Sequence, residues 1–283
     1  MSWVYLNGAL VRESEAKIPA TDRGLLFGRG LFETFRAIAG RPIYRLAEHM
    51  ARLEAGAAFL GIPMAVTRHG VEDAAGALMD RCGLDDARVR LTLTAGPEGG
   101  SPSVLIQARA ATDYPPEMYR TGVAAVIARV RRNETSPLSR FKSLSCLDNI
   151  LAREEARAAG AVEAILLNTR GTVAEGSVSN VFIVRGGGLV TPPVEDGALP
   201  GVTRGAVLEM AQEADIPARE RSVTREELLR ADEAFVTNSV ACVLPLSSIH
   251  GAAVGSGSPG EVTRVLGDAL ARDMSRPEDV AAI

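Results

Sequence analysis

Three times along this chain, two short apolar runs are separated by only a few turn-forming residues. Residues 3–6 and 9–12 flank Asn7-Gly8, the dipeptide of a two-residue hairpin turn. Residues 88–95 and 104–110 flank the Gly/Pro/Ser stretch 96–102, and residues 164–168 and 172–174 flank Thr169-Arg170-Gly171. Connections this short join antiparallel neighbours, because a parallel pair needs a crossover of a dozen residues or more. Other stretches carry helical spacing. Residues 47–60 place Met50, Leu53, Ala57 and Leu60 on one face and stop at Gly61, and a second helix is predicted over 71–81, ending at Cys82-Gly83. Further helices are predicted over 147–159, 202–214 and 261–272, with strands over 31–39, 123–130, 179–184, 233–237 and 243–246. Thr224-x-x-Glu227 fits a capping box that starts a short helix. Hairpins with helices gathered to one side argue an α+β fold rather than a doubly wound sheet. Pro115-Pro116 predicts a linker over 116–121, between a domain spanning 1–115 and a larger one spanning 122–283.

Composition narrows the function. With 46% hydrophobic and 23% charged residues, the chain is an ordinary globular one. A net charge of −4 argues against a nucleic-acid binder. No apolar run approaches the roughly 18 residues that span a membrane. The first residues lack the charged-then-apolar pattern of a signal peptide, so a cytoplasmic location is expected. Cys82, Cys146 and Cys242 form no CxxC spacing, and His49, His69 and His250 lie far apart, so no metal site is expected.

Amine chemistry is confined to two side chains. Of 31 basic residues only Lys17 and Lys142 are lysine. An arginine stays charged at any working pH, whereas a lysine can lose its proton and attack a carbonyl. Lys17, beside Glu15 and Pro19, reads as a solvated surface lysine, and on residue type alone so does Lys142. Two segments downstream distinguish Lys142. Glu175-Gly176-Ser177-Val178-Ser179-Asn180 is a polar loop between strands, and Leu199-Pro200-Gly201-Val202-Thr203-Arg204 opens a helix. A glycine at a helix entrance, with free N–H groups and a threonine hydroxyl, suits an anion such as phosphate. Taken alone, the first reads as a surface loop and the second as a plain helix start.

In this order the pieces resemble the class IV, or fold-type IV, pyridoxal-phosphate aminotransferases. The family includes D-amino acid aminotransferases, branched-chain aminotransferases and aminodeoxychorismate lyases. The resemblance runs through nearly the whole chain. It includes Asp22-Arg23-Gly24, Phe27-Gly28-Arg29-Gly30-Leu31-Phe32-Glu33-Thr34, His49-Met50-Ala51-Arg52-Leu53, Lys142-Ser143-Leu144 and Glu163-Ala164-Ile165-Leu166-Leu167. The polar loop at Glu175, Thr191-Pro192-Pro193 and the helix entrance at Leu199 complete it.

The resemblance implies a small N-terminal domain, a larger barrel-like C-terminal domain with flanking helices, and pyridoxal 5′-phosphate as cofactor. It makes Lys142 the Schiff-base lysine and the base that moves the substrate's α-proton. Such an amine needs a lowered pKa, which burial and a nearby cation supply. Glu175 would pair with the pyridine nitrogen and keep the ring an electron sink. Arg52, the backbone N–H groups of Val202 and Thr203, the Thr203 hydroxyl and Ser239 would hold the phosphate. Leu199 would pack on the ring, and Ser179 and Asn180 would support the cofactor's surroundings. The family also implies a homodimer.

Where the substrate is read, the chain departs from the family pattern. Ala95-Gly96 stands in place of the common Arg-Gly, and the loop 96–103 holds no Arg or His. Phe32-Glu33-Thr34-Phe35-Arg36 differs from the Phe-Glu-Gly-Ile-Arg of branched-chain enzymes. The tyrosine often found after the lysine is absent, since Ser145, Cys146 and Leu147 fill that stretch. Strand alternation puts Arg90, Thr92 and Thr94 on one face, with Val89, Leu91 and Leu93 on the other. Arg29 replaces an acidic residue common in the family's Gly-Asp-Gly segment. Arg90 and Arg29 are therefore expected to form an alternative trap for a substrate carboxylate. The function expected is transamination between a small amino acid, of the D type, and a 2-oxo acid. The alternatives are an aminodeoxychorismate lyase, which eliminates pyruvate, a branched-chain enzyme, or an R-selective amine transaminase.

Overall fold

Backbone chirality decides the first turn of the chain. Asn7 and Gly8 both take positive φ (49° and 98°), the geometry that lets two twisted strands be joined by two residues. They connect β1 (Trp3–Leu6) to β2 (Ala9–Arg12). The computed structural model describes residues 2–112 and 114–275, and within them the chain forms two compact units. Residues 1 and 283, the outer ends of the two expected domains, lie outside the described residues.

The first unit runs to residue 112 and also takes in Phe141–Ser145. After β2 come α1 (Arg23–Phe27), β3 (Gly30–Ile38), α2 (Leu46–Leu60), α3 (Arg68–Cys82), β4 (Asp86–Thr94) and β5 (Ser103–Ala110). The strands form one antiparallel sheet in the order β2-β1-β5-β4-β3. One face of the sheet packs on α2 and α3. Val89, Leu91 and Leu93 of β4, Leu31 and Phe35 of β3, and Ile106 of β5 meet Met50, Leu53, Val71 and Leu78 there. Each such side chain contributes about 1.5–3 kcal/mol by leaving water. Phe141–Ser145 extends the sheet beyond β3: Phe32 N–H donates to the Lys142 carbonyl at 2.9 Å, and Leu144 N–H to the Gly30 carbonyl at 2.9 Å. Helix α1 was not legible as a helix. Asp22 caps it by accepting from Gly24 N–H at 2.7 Å, and takes Thr94 and Ser103 hydroxyls on its other oxygen.

In the second unit, the residues expected to form the linker, 116–121, are the helix α4 (Pro116–Thr121). Two prolines read as a break, but Pro116 sits in the first helical turn, where its fixed φ fits and its missing N–H is not needed. Tyr119 then ties α4 down, its hydroxyl donating to the Ala241 carbonyl at 3.0 Å. There follow β6 (Val123–Arg132), α5 (Leu147–Ala158), β7 (Glu163–Asn168), β8 (Val173–Gly176), β9 (Asn180–Arg185), β10 (Gly188–Thr191), α6 (Val202–Glu213) and β11 (Ala218–Glu220). The unit closes with α7 (Arg225–Leu229), β12 (Glu233–Asn238), β13 (Cys242–Ile249), β14 (Ala252–Ala253) and α8 (Glu261–Asp273). The Thr224–Glu227 capping box forms in full at the start of α7.

The sheet order is β11-β10-β9-β12-β13-β6-β7-β8, with β14 on β13. Three of its pairings are parallel: β10 with β11, β13 with β6, and β6 with β7. Hairpin reasoning could not reach these. The strands are apolar on both faces, since Val181, Ile183 and Val236 pack in one cluster, while Phe182 and Phe235 stack on each other at 4.9 Å. Among the described residues, no helix is long and apolar enough to cross a membrane.

Candidate active site

Alternation along β4 sends Val89, Leu91 and Leu93 into the first unit's core and leaves Arg90 on the opposite face of the sheet. In the ladder Thr34 lies opposite Arg90, and Phe32 opposite Thr92. Phe32 is thus a diagonal neighbour of Arg90 on the same face, within reach of a long side chain. The Arg90 guanidinium carbon lies 3.7 Å from the Phe32 ring centroid, and Lys142 Nζ lies 4.5 Å from the same centroid. Both cations are attracted to the ring quadrupole.

Arg29, expected beside Arg90 as the second arm of a carboxylate trap, makes a different contact. Its guanidinium donates to the Leu60 carbonyl at 2.7 Å, at the C-terminal end of α2. A cation suits that end of a helix, where carbonyls lack partners.

Arg52 lies on the face of α2 turned towards β3. Its Nε donates to Glu33 Oε1 at 2.8 Å and its terminal nitrogen to Oε2 at 2.6 Å. His49, one turn earlier, places Nδ1 2.7 Å from Oε2. The Glu33 carboxyl is buried on the core face between Leu31 and Phe35. Burial alone would raise its pKa. The charge of Arg52, the hydrogen bond from His49 and those from Arg52 outweigh burial and hold it down to about 2.

The second unit gathers most of the residues expected to hold a cofactor. Glu175, at the end of β8, is buried and has three partners: Arg132 Nε lies 3.2 Å and Asn149 Nδ2 3.2 Å from Oε1, while Leu199 N–H donates to Oε2 at 3.0 Å. Asn180 Nδ2 donates to the Leu199 carbonyl at 2.8 Å, so both sides of this residue's backbone are pinned. Ser179 does not contact this group. Its hydroxyl donates to the buried Glu163 at 2.6 Å, which also takes the N–H and hydroxyl of Ser177. Glu163 thereby braces the loop that carries Glu175.

Gly201 begins α6 with no side chain capping the helix. A Cβ there would meet Asn180 Oδ1 at 2.0 Å, so the close approach of the two motifs requires glycine. The hydroxyls of Thr203 and Ser239 lie 3.4 Å apart beside this helix start. An uncapped twelve-residue helix with two hydroxyls at its N-terminus, near a buried carboxylate, offers donors for a phosphate and an acceptor for a ring nitrogen. These donors fit pyridoxal phosphate. Among the described residues no group of three or more His, Cys, Asp or Glu could hold a metal.

The family model for class IV amino-transferases matches residues 30–249. The chain belongs to the class IV aminotransferases. It is therefore a pyridoxal-phosphate-dependent transaminase of fold-type IV, as the motifs implied. It is 36% identical to a putative branched-chain-amino-acid aminotransferase of Methanocaldococcus jannaschii, over 93% of this chain and 93% of that one. It is 34% identical to a D-alanine aminotransferase of Bacillus licheniformis, over 94% of this chain and 95% of the other. A crystal structure of the Escherichia coli branched-chain amino acid aminotransferase matches with a TM-score of 0.88 at 31% identity, covering 95% of this chain and 93% of that one.

Arg132 and Asn149 contact Glu175, yet sequence reasoning singled out neither. Arg132 stands among Arg129 and Arg131 at the end of an apolar strand, and nothing local marks which of the three turns inward. Glu33 and His49 were legible only as parts of motifs.

Proposed function

We propose that this transaminase moves an amino group between a small amino acid and a 2-oxo acid, with D-amino acids as the favoured donors, acting as a cytoplasmic homodimer. The observation that carries the reading is the shared ring: Lys142 and Arg90 both lie over Phe32, at 4.5 and 3.7 Å. One group can bond a carbonyl and the other can pair with a carboxylate. An α-amino acid needs both, whereas a simple amine has no carboxylate for Arg90 to read. The D preference rests on Lys142-Ser143-Leu144 and Glu163–Leu166, and on the D-alanine aminotransferase among the relatives. The homodimer is supported by α1, whose Leu25, Leu26 and Phe27 are 69%, 54% and 74% exposed, more apolar surface than a short helix leaves to water without a partner.

When bound, pyridoxal phosphate supplies an aldehyde to the amine and a ring that withdraws electrons from the substrate's Cα. Lys142 would hold the cofactor through its aldehyde carbon and would carry the proton to and from the substrate's Cα. Glu175 keeps a proton on the ring nitrogen, with Arg132, Asn149 and Leu199 N–H fixing the carboxylate. Arg52, Thr203, Ser239 and the N–H groups of Val202 and Thr203 hold the phosphate, and Leu199 packs against the ring. Ser179 acts through Glu163 on the loop that carries Glu175, and Asn180 through the Leu199 carbonyl. Arg90 takes the substrate carboxylate; Arg29, which donates to the Leu60 carbonyl, is assigned at most a lesser share.

The test is optical. Protein loaded with the cofactor is mixed separately with D-alanine, D-glutamate, L-leucine and an R-amine, and its visible absorption is followed. Faster bleaching by the D-amino acids is expected. Bleaching by L-leucine alone replaces the D reading with the branched-chain one, bleaching by the amine alone removes the role of Arg90, and bleaching by none leaves the lyase.

A further inference from the structure

The Glu33–Arg52–His49 cluster is out of place in an apolar core. Glu33 sits on the core face of β3, between Leu31 and Phe35, where alternation calls for an apolar residue. A buried ion pair is a poor source of stability, since apolar residues of similar size often stabilise as well or better. The pair does fix geometry. Both Glu33 oxygens engage one side of the guanidinium, at 2.8 and 2.6 Å, which sets the plane of a side chain that otherwise has many rotamers. His49 holds the carboxylate in turn, at 2.7 Å, and its own ring is fixed edge-on to Phe35 with centroids 5.7 Å apart. Pairing with a carboxylate weakens the attraction of Arg52 for a distant anion. The cluster therefore contributes orientation rather than charge.

We propose that Glu33, supported by His49, is a positioning residue that holds the Arg52 guanidinium in the orientation in which it binds the cofactor's phosphate. The proposal rests on the assignment of Arg52 to that phosphate. Ordering a long cationic side chain before the ligand arrives removes a cost otherwise met on binding.

The test compares pyridoxal phosphate with pyridoxal, which has no phosphate, as ligands of the cofactor-free protein, by fluorescence titration. The ratio of the two affinities isolates the phosphate, because both ligands need the same folded protein. Arg52→Ala and Glu33→Gln are each expected to lower the ratio at least tenfold, about 1.4 kcal/mol. In the Arg52→Ala background, Glu33→Gln should lower it no further. Glu33→Asp keeps the charge and draws the carboxylate back by one methylene. It should lower the ratio as well, and it answers the question if Glu33→Gln does not fold. A ratio that falls in Arg52→Ala but holds in the Glu33 variants overturns the proposal. So does a further fall in the double variant. A ratio unchanged in Arg52→Ala instead removes the phosphate assignment on which the proposal stands.

Discussion

In the first unit β4 is buried at alternate residues, whereas in the second all six residues of β7 are buried. In the first sheet one face packs on α2 and α3, and the other carries Phe32, Arg90 and the Lys142 side chain. The second sheet packs apolar side chains on both faces, and its charged residues, such as Glu163, Glu175 and Arg132, stand at or near strand ends. Its candidate residues lie instead at a strand end (Glu175), a helix start (Val202, Thr203) and a strand-end turn (Ser239). Two of them, Val202 and Thr203, are proposed to act through backbone N–H groups. A strand buried at alternate residues presents side chains at every second position, whereas a fully buried strand leaves chemistry to its ends.

The sharpest way to break this contrast is to remove the amine. Lys142→Ala should lower transamination by roughly four orders of magnitude, because no other group can both bond the aldehyde and carry the proton. The variant should keep a native circular dichroism spectrum, since Lys142 enters the sheet through its backbone carbonyl. Activity within tenfold of the parent would mean that the open face is not where the chemistry lies.

The next effect concerns Glu33, a charge buried on the core face of the same sheet. Glu33 titrates at about 2 in the folded chain, below its ordinary 4.5. Its ionised form therefore stabilises the fold above pH 4.5, and that stability is lost as pH falls from 4.5 towards 2. The loss is on the order of 3 kcal/mol. Urea melts of the parent across that window should steepen relative to those of Glu33→Gln, which has no carboxylate to protonate there. Equal slopes would show that the carboxylate is not held down by Arg52 and His49.

The smallest effect divides the two arginines. Arg90→Ala should raise the apparent KM for an amino acid at least tenfold, about 1.4 kcal/mol, with kcat less affected. Arg29→Ala, whose parent side chain holds the Leu60 carbonyl, should raise it less and lower the melting temperature instead. If the two variants exchange these signatures, the roles of Arg29 and Arg90 are reversed.

How much could be read from the chain follows from the same contrast. The position of Arg90 opposite the core was legible, because a half-covered sheet alternates and alternation is local. The hairpin at Asn7-Gly8, the stop of α2 at Gly61 and the capping box at Thr224 were legible for the same reason. The parallel pairings of β6 with β7 and β13 were not. Continuous apolar strands carry no period that tells one neighbour from another. Pro115-Pro116 did not announce helix α4, because a proline that breaks a helix interior suits its first turn. The link between Leu199 and Glu175 spans residues distant in sequence, and no local pattern encodes it.

The sequence by itself determined the reactive groups. Two lysines among 31 basic residues left few amines to consider, and the motifs around Lys142, Glu175 and Gly201 carried the family. Residue type settles which bonds a side chain can make, and short motifs settle local backbone shape. Only the tertiary structure decided the company each group keeps: Arg90 with Lys142 on Phe32, Glu33 with Arg52, Arg132 with Glu175, and Arg29 with the Leu60 carbonyl rather than with Arg90. A charged side chain takes its partner from whatever the folded chain brings within a few ångströms, and that neighbour is fixed by strand register and helix packing.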